Sequence, residues 1–181
     1  MDAHLSAEGH LVWKTRSFRC AIGRGGLSIA KREGDGATPV GRHPFRRLLY
    51  RPDRLARPTT RLPVDRIDRA DGWCDAPTDA RYNQQVRLPY PASHERLWRD
   101  DHLYDVVVVL GYNDAPIIAG RGSAIFLHVA RDDYGPTEGC LALALPDLLT
   151  LLAEAGPEDG VVVPAPGADA LTRGSAARSR G

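Results

Sequence analysis

Apolar residues in this chain fall mostly in short runs that stop at glycine, proline or aspartate, a pattern of strands and turns. Residues 11–13 and 18–22 are two such runs, and Gly23-Arg24-Gly25-Gly26 closes the second as a turn. A further turn at 34–39 leads into a strand near 45–50. The sequence YDVVVVL at 104–110 is β-branched, almost continuously apolar and stopped by Gly111, so it predicts a strand covered on both faces. Residues 117–118, 124–130 and 161–163 predict three more. Helical periodicity is clearest at 146–155, with Pro146 at the first position, leucines at 148, 149 and 152, and Gly156 as a stop. A second short helix is expected over 93–101, with Ser93 as its N-cap. The pattern predicts a mostly β fold with one or two packed helices.

Between these elements, residues 51–103 are rich in Arg, Asp and Pro with scattered aromatics. A stretch this long without clear periodicity is expected to build a binding wall or lid. Tyr82, Asn83, Trp98, Tyr112 and Asn113 are candidates for that wall, with plain packing as the alternative for each. After residue 163 Ala, Gly, Ser and Arg dominate. The expectation is therefore a domain at 1–163 and a disordered tail at 164–181.

Length and composition narrow the function. The 181 residues suffice for one core, with 43% hydrophobic and 26% charged residues, as in a water-soluble globular domain. A net charge of +1 gives no whole-protein attraction to nucleic acid or anionic membrane. Only Lys14 and Lys31 among the 24 basic residues are lysine. Cys20, Cys74 and Cys140 form neither an even disulfide framework nor a C-x-x-C pair, so at least one thiol is expected free. No apolar run approaches the roughly 18 residues of a membrane span. The N-terminal stretch carries no basic region followed by an apolar core, so no signal peptide is read there. The glycines at 23–26 lack G-x-x-x-x-G-K-[ST] and are not taken as a phosphate loop.

The chemistry concentrates in FLHVARDDYGPTEGCLAL, residues 126–143. His128 stands near the end of an apolar strand, and Cys140 follows a loop containing Gly135-Pro136 and Thr137-Glu138-Gly139. A thiol becomes a strong nucleophile when an imidazole takes its proton or when positive charge lowers its pKa. His128 and Arg131 are close enough in sequence to do this. Gly139 permits unusual backbone angles beside the cysteine, and the N–H groups around Gly139 and Cys140 are candidate donors to an oxyanion. The same residues also fit a buried apolar cysteine and a hydrogen-bonded structural histidine. For Cys20 and Cys74 a structural role is the reading.

His128 followed by Thr137-x-Gly139-Cys140 resembles the signature of the YkuD-type L,D-transpeptidases, and Asp35-Gly36-Ala37-Thr38-Pro39-Val40-Gly41 is similar to that family's D-G-x-T-P-x-G segment. The likeness extends over roughly residues 11–163. It implies a YkuD-like β-sandwich or barrel catalytic domain acting on peptidoglycan stem peptides in the periplasm, without metal or other cofactor. Cys140 would be the nucleophile, His128 the general base, and the product a 3,3 or 1,3 cross-link formed through a thioester. Hydrolysis of the same thioester would make the enzyme an L,D-carboxypeptidase. The resemblance further implies acylation of Cys140 by carbapenems.

This chain has a shorter loop than usual, Glu138 where a second histidine is common, and Ala142 where Arg or Asn is common. In these respects it resembles a compact, mostly proteobacterial Thr-x-Gly-Cys branch. Arg131 is assigned to a substrate carboxylate, since a guanidinium grips planar anions bidentately; a surface ion pair with Asp132 or Asp133 is the alternative. Thr137, Tyr112 and Asn113 complete the substrate-binding candidates. Glu138 is expected either to orient His128, to select a cationic amine, or to stand as a solvated charge. Two rivals remain. One is a metal hydrolase drawing on His43, His94, His102, His128 and Cys140, although no H-E-x-x-H spacing occurs. The other is a non-catalytic domain that binds cell-wall peptides.

Overall fold

The computed structural model describes residues 1–167; the larger part of the expected tail, 168–181, lies outside the described residues. The fold is mostly β, as its patterning predicts. Its strands, in chain order, are β1 (Asp2–Leu5), β2 (His10–Trp13), β3 (Arg16–Arg19), β4 (Leu27–Ser28), β5 (Thr38–Pro39), β6 (Gly41–Tyr50) and β7 (Val64–Arg66). There follow β8 (Asp71–Cys74), β9 (Gln85–Arg87), β10 (His94–Arg96), β11 (Val106–Leu110), β12 (Phe126–Val129), β13 (Leu141–Leu143), helix α1 (Leu145–Leu152) and β14 (Gly160–Val163).

The main sheet runs β13-β12-β11-β6-β14-β1-β2-β3, with β7 added against β6. Its two ends meet. Just beyond β3, Ala21 exchanges both backbone hydrogen bonds with Ala142 of β13, each at 2.9 Å. The sheet therefore nearly closes into a barrel, which removes the open edges that long strands otherwise leave.

Strand β11 carries the core on both sides. Val106, Val108 and Leu110 pack with Leu48, Leu127, Leu141 and the α1 leucines Leu148, Leu151 and Leu152. Val107 and Val109 face the other way, toward Trp73, Leu97, Tyr104, Phe126 and Cys140. Alternation along a strand thus sends the chain's longest valine run into two separate apolar clusters.

Two local expectations are corrected. Residues 93–101 do not form a helix: His94–Arg96 is β10, which pairs with β8 in a three-stranded sheet β10-β8-β9. The segment has only Leu97 and Trp98 as apolar residues, no helical stripe, and buries Leu97 against the second cluster instead. Residues 117–118 are loop, because the Asn113 side chain accepts from the Ile118 N–H at 2.8 Å and donates to the Ile118 carbonyl at 3.0 Å. Ile118 stays half exposed.

Candidate functional site

Strand β12 runs parallel to β13 with Leu127 opposite Leu141 and His128 opposite Ala142. This register sets Cys140 beside Phe126, whose N–H lies 3.4 Å from the sulfur. Phe126 and His128 point to the same face by strand alternation, so the thiol and the imidazole share one side of the sheet. Both line a cavity of about 430 Å³, together with Lys31, Glu95, Tyr104 and Arg131. A larger cavity of about 730 Å³, lined by Arg47, Arg81 and Tyr112 among others, contains neither a thiol nor an imidazole. The candidate site is therefore the smaller one.

The loop before Cys140 is held by Thr137. Its hydroxyl donates to the Cys140 carbonyl at 2.7 Å and accepts from the Gly139 N–H at 3.1 Å. Its backbone N–H and C=O bond to Ile22 and Arg24 at 2.9 and 2.8 Å. The D-G-x-T-P segment arrives from the other side: Thr38 Oγ1 accepts from the Gly23 N–H at 2.9 Å and donates to the Cys140 carbonyl at 3.4 Å. Two motifs about a hundred residues apart in sequence thus meet at the cysteine.

Gly139 adopts φ +130°, and a Cβ there would stand 2.8 Å from the Ala37 carbonyl oxygen. Both the torsion and the contact exclude a side chain. Gly139→Ala is expected to cost about 1–3 kcal/mol and to displace Cys140. Thermal unfolding should show a Tm lower by about 5 °C, and turnover should fall at least about tenfold.

Cys140 is 7% exposed. Its thiol donates to the Ala124 carbonyl at 3.2 Å. Burial, reinforced by the Glu95 carboxylate, pushes its pKa up to about 12. His128 is 5% exposed, and burial lowers its pKa to about 4. Its Nδ1 lies 2.8 Å from the Val129 carbonyl oxygen. A carbonyl only accepts, so Nδ1 carries the proton and Nε2 offers a lone pair. The resting pair at neutral pH is therefore a thiol and a neutral imidazole.

Tyr104 packs edge-on to the His128 ring, with centroids 5.3 Å apart, and donates its hydroxyl to Glu95 at 2.6 Å. Burial raises the pKa of Glu95. Arg99 lies over the Tyr104 ring, 5.1 Å from its centroid. Sequence reading missed Glu95 and Arg99 because their segment lacks visible periodicity, and Tyr104 because it reads as the first residue of the apolar strand at 104–110. It also missed Lys31, whose side chain is 5% exposed and pairs with Asp35 at 2.5 Å. A single lysine four residues before the D-G-x-T-P aspartate, in a chain otherwise rich in arginine, was the available signal.

The expected substrate residues divide. Arg131 lines the cavity with an exposed side chain and makes no ion pair with Asp132 or Asp133 among the described residues. Glu138 also lines it but pairs with Arg24 at 2.7 Å. The ring of His128 is oriented by Val129 and Tyr104 rather than by Glu138. Tyr112 lies on the larger cavity, with its hydroxyl donating to the Arg121 carbonyl at 2.6 Å. Asn113 ties its own loop to Ile118 and Gly122. Asn83 spends its amide on Trp73, Ala124, Tyr112 and Asn113, and Trp98 is covered by Arg51 and Arg69. Tyr82 donates to Glu33 at the cavity margin. Among the described residues no group of three or more His, Cys, Asp or Glu is placed to hold a metal ion.

The family model for YkuD, the L,D-transpeptidase catalytic domain, matches residues 5–163. The chain belongs to the YkuD family. Neither the comparison with curated proteins nor that with solved structures gave a match. YkuD domains act on peptidoglycan peptides. In this YkuD domain the matched span runs from the last residue of β1 to the end of β14 and contains the whole thiol–imidazole cavity. No helix among the described residues is long and apolar enough to cross a membrane.

Proposed function

We propose that this chain is a peptidoglycan L,D-transpeptidase working in the periplasm through a thioester on Cys140. The observation that carries the reading is that the His128 ring, with Nδ1 held 2.8 Å from the Val129 carbonyl oxygen, lines the same cavity as Cys140. Sγ bonds to the carbonyl carbon of a stem peptide, at diaminopimelate or a neighbouring residue, while the thiol proton passes to Nε2 and the carbonyl π pair moves to oxygen. Collapse of this adduct breaks the C–N bond, and the departing amine takes the proton from His128. An amine of a second stem attacks the thioester, His128 accepts its proton, and the proton returns to sulfur as the C–S bond breaks.

A neutral resting pair suits this sequence. The thiol stays largely protonated until a carbonyl is bound against it, and proton transfer accompanies attack. The walls fit a zwitterionic substrate end. Arg131 supplies a guanidinium for a carboxylate. Asp75 lines the same cavity with a carboxylate oxygen that is shielded from solvent and has no hydrogen-bond partner among the described residues, an acceptor suited to an ammonium group.

Mass spectrometry of monomeric stem-peptide muropeptides after incubation with the protein tests the reading. Dimers with release of the terminal residue are expected. Loss of that residue without dimers identifies the carboxypeptidase, in which water replaces the second amine. Unchanged muropeptides would refute the enzymatic reading and leave a domain that only binds cell-wall peptides.

A further inference from the structure

An oxyanion formed at Cys140 needs donors, and the backbone here supplies fewer than the sequence promises. The Gly139 N–H is committed to Thr137 Oγ1 at 3.1 Å. The shortage falls beside a buried cation. Lys31 is 6% exposed, lines the cavity of Cys140 and His128, and places Nζ 3.6 Å from where a Cβ on Gly139 would stand. An ammonium has three N–H donors. Two are used, on Asp35 Oδ1 at 2.5 Å and on the Arg32 carbonyl at 3.0 Å.

We propose that Lys31 is a catalytic residue of the transfer reaction, donating its third N–H to the oxygen of the carbonyl that Cys140 attacks. The inference rests on the transpeptidase reading of the site and adds the group that balances the charge of its intermediate. Asp35 fixes the ammonium: its Oδ1 also accepts from the Ala37 N–H at 2.9 Å and its Oδ2 from the Arg32 N–H at 2.7 Å. The cation is therefore in place before substrate arrives, which is the condition under which a fixed charge lowers a barrier most. The Lys31 charge also favours the Cys140 thiolate, against Glu95, which opposes it. The D-G-x-T-P segment thereby gains a chemical task. It aims a lysine at the nucleophile through Asp35 and braces the Cys140 carbonyl through Thr38.

Lys31→Gln removes the charge while keeping an N–H for Asp35, and Lys31→Arg keeps the charge. With muropeptides, Lys31→Gln is expected to lower kcat about 100-fold with KM little changed, and Lys31→Arg to recover at least about tenfold of that loss. The rate of alkylation of Cys140 by iodoacetamide at pH 8 should fall at least about tenfold in Lys31→Gln and recover in Lys31→Arg. This second reading needs no substrate, so it decides on Lys31 even if the wild-type protein turned over no muropeptide, a result that would sink the transpeptidase reading instead. A wild-type kcat in Lys31→Gln, a loss confined to KM, or equal losses in both variants would overturn the assignment. An unchanged alkylation rate would do the same.

Discussion

Cys140→Ala is expected to abolish transfer and hydrolysis together, a loss of at least about 10⁴-fold in kcat, while leaving the protein folded. The substitution removes one buried atom. The sulfur gives up a bond to the Ala124 carbonyl at 3.2 Å and one from the Phe126 N–H at 3.4 Å, both weak because sulfur is a poor hydrogen-bonding partner. The cost in stability should be about 1 kcal/mol, visible as a small drop in Tm. Neither Cys20 nor Cys74 lines the cavity that Cys140 shares with His128. Cys20 is buried on the opposite apolar cluster, donates to the Ala21 carbonyl at 3.4 Å, and has its pKa pushed up to about 12 by burial. Muropeptide mass spectra of the variant should show substrate only, and dimers in them would contradict the assignment of the nucleophile.

The second large effect concerns His128. The structure buries it against Tyr104, so His128→Ala would leave a cavity and remove the bond to the Val129 carbonyl, at a cost of about 2–4 kcal/mol. The informative variant is His128→Asn, whose amide nitrogen can replace Nδ1 at the Val129 carbonyl but which offers no base at the Nε2 position. Its kcat should fall about 10³-fold with folding retained.

Its pH behaviour is a separate check. In the unfolded chain this histidine takes up a proton near its ordinary pKa of 6.5, whereas in the fold it does so only near 4. Between those values the unfolded state binds more protons, so stability rises with pH through that window and falls on acidification. Denaturant titrations of the wild type from pH 7 to pH 4 should show the decline. His128→Asn should show a smaller one by the His128 contribution, and an identical slope would mean that the ring is not held neutral by burial.

Much of this was legible in sequence because it rests on local rules. The valine run of β11 needs cover on both faces and has it, and Pro146 with the leucines at 148 and 152 marks α1. The candidate segment was legible because a thiol, an imidazole and a glycine leave a mark in a single stretch. What failed depends on long-range pairing. Strand β1 is short and carries little periodicity, and it exists because it pairs in parallel with β14 at the far end of the chain. Ser93 suggests a helix N-cap just before β10, yet the segment is a strand and Glu95 turns inward to meet Tyr104. Lys31 and Glu95, the opposed charges at Cys140, come from segments far apart in sequence that only the tertiary fold brings to one cavity.

The most direct test of the account is the mass of the protein trapped during turnover by acid quenching with a stem-peptide donor and no acceptor. The expected mass is that of the wild-type chain plus the donor acyl group, with fragmentation placing that group on Cys140 and hydroxylamine removing it as a thioester demands. Turnover that proceeds with no such adduct, or with the acyl group on another residue, would contradict it.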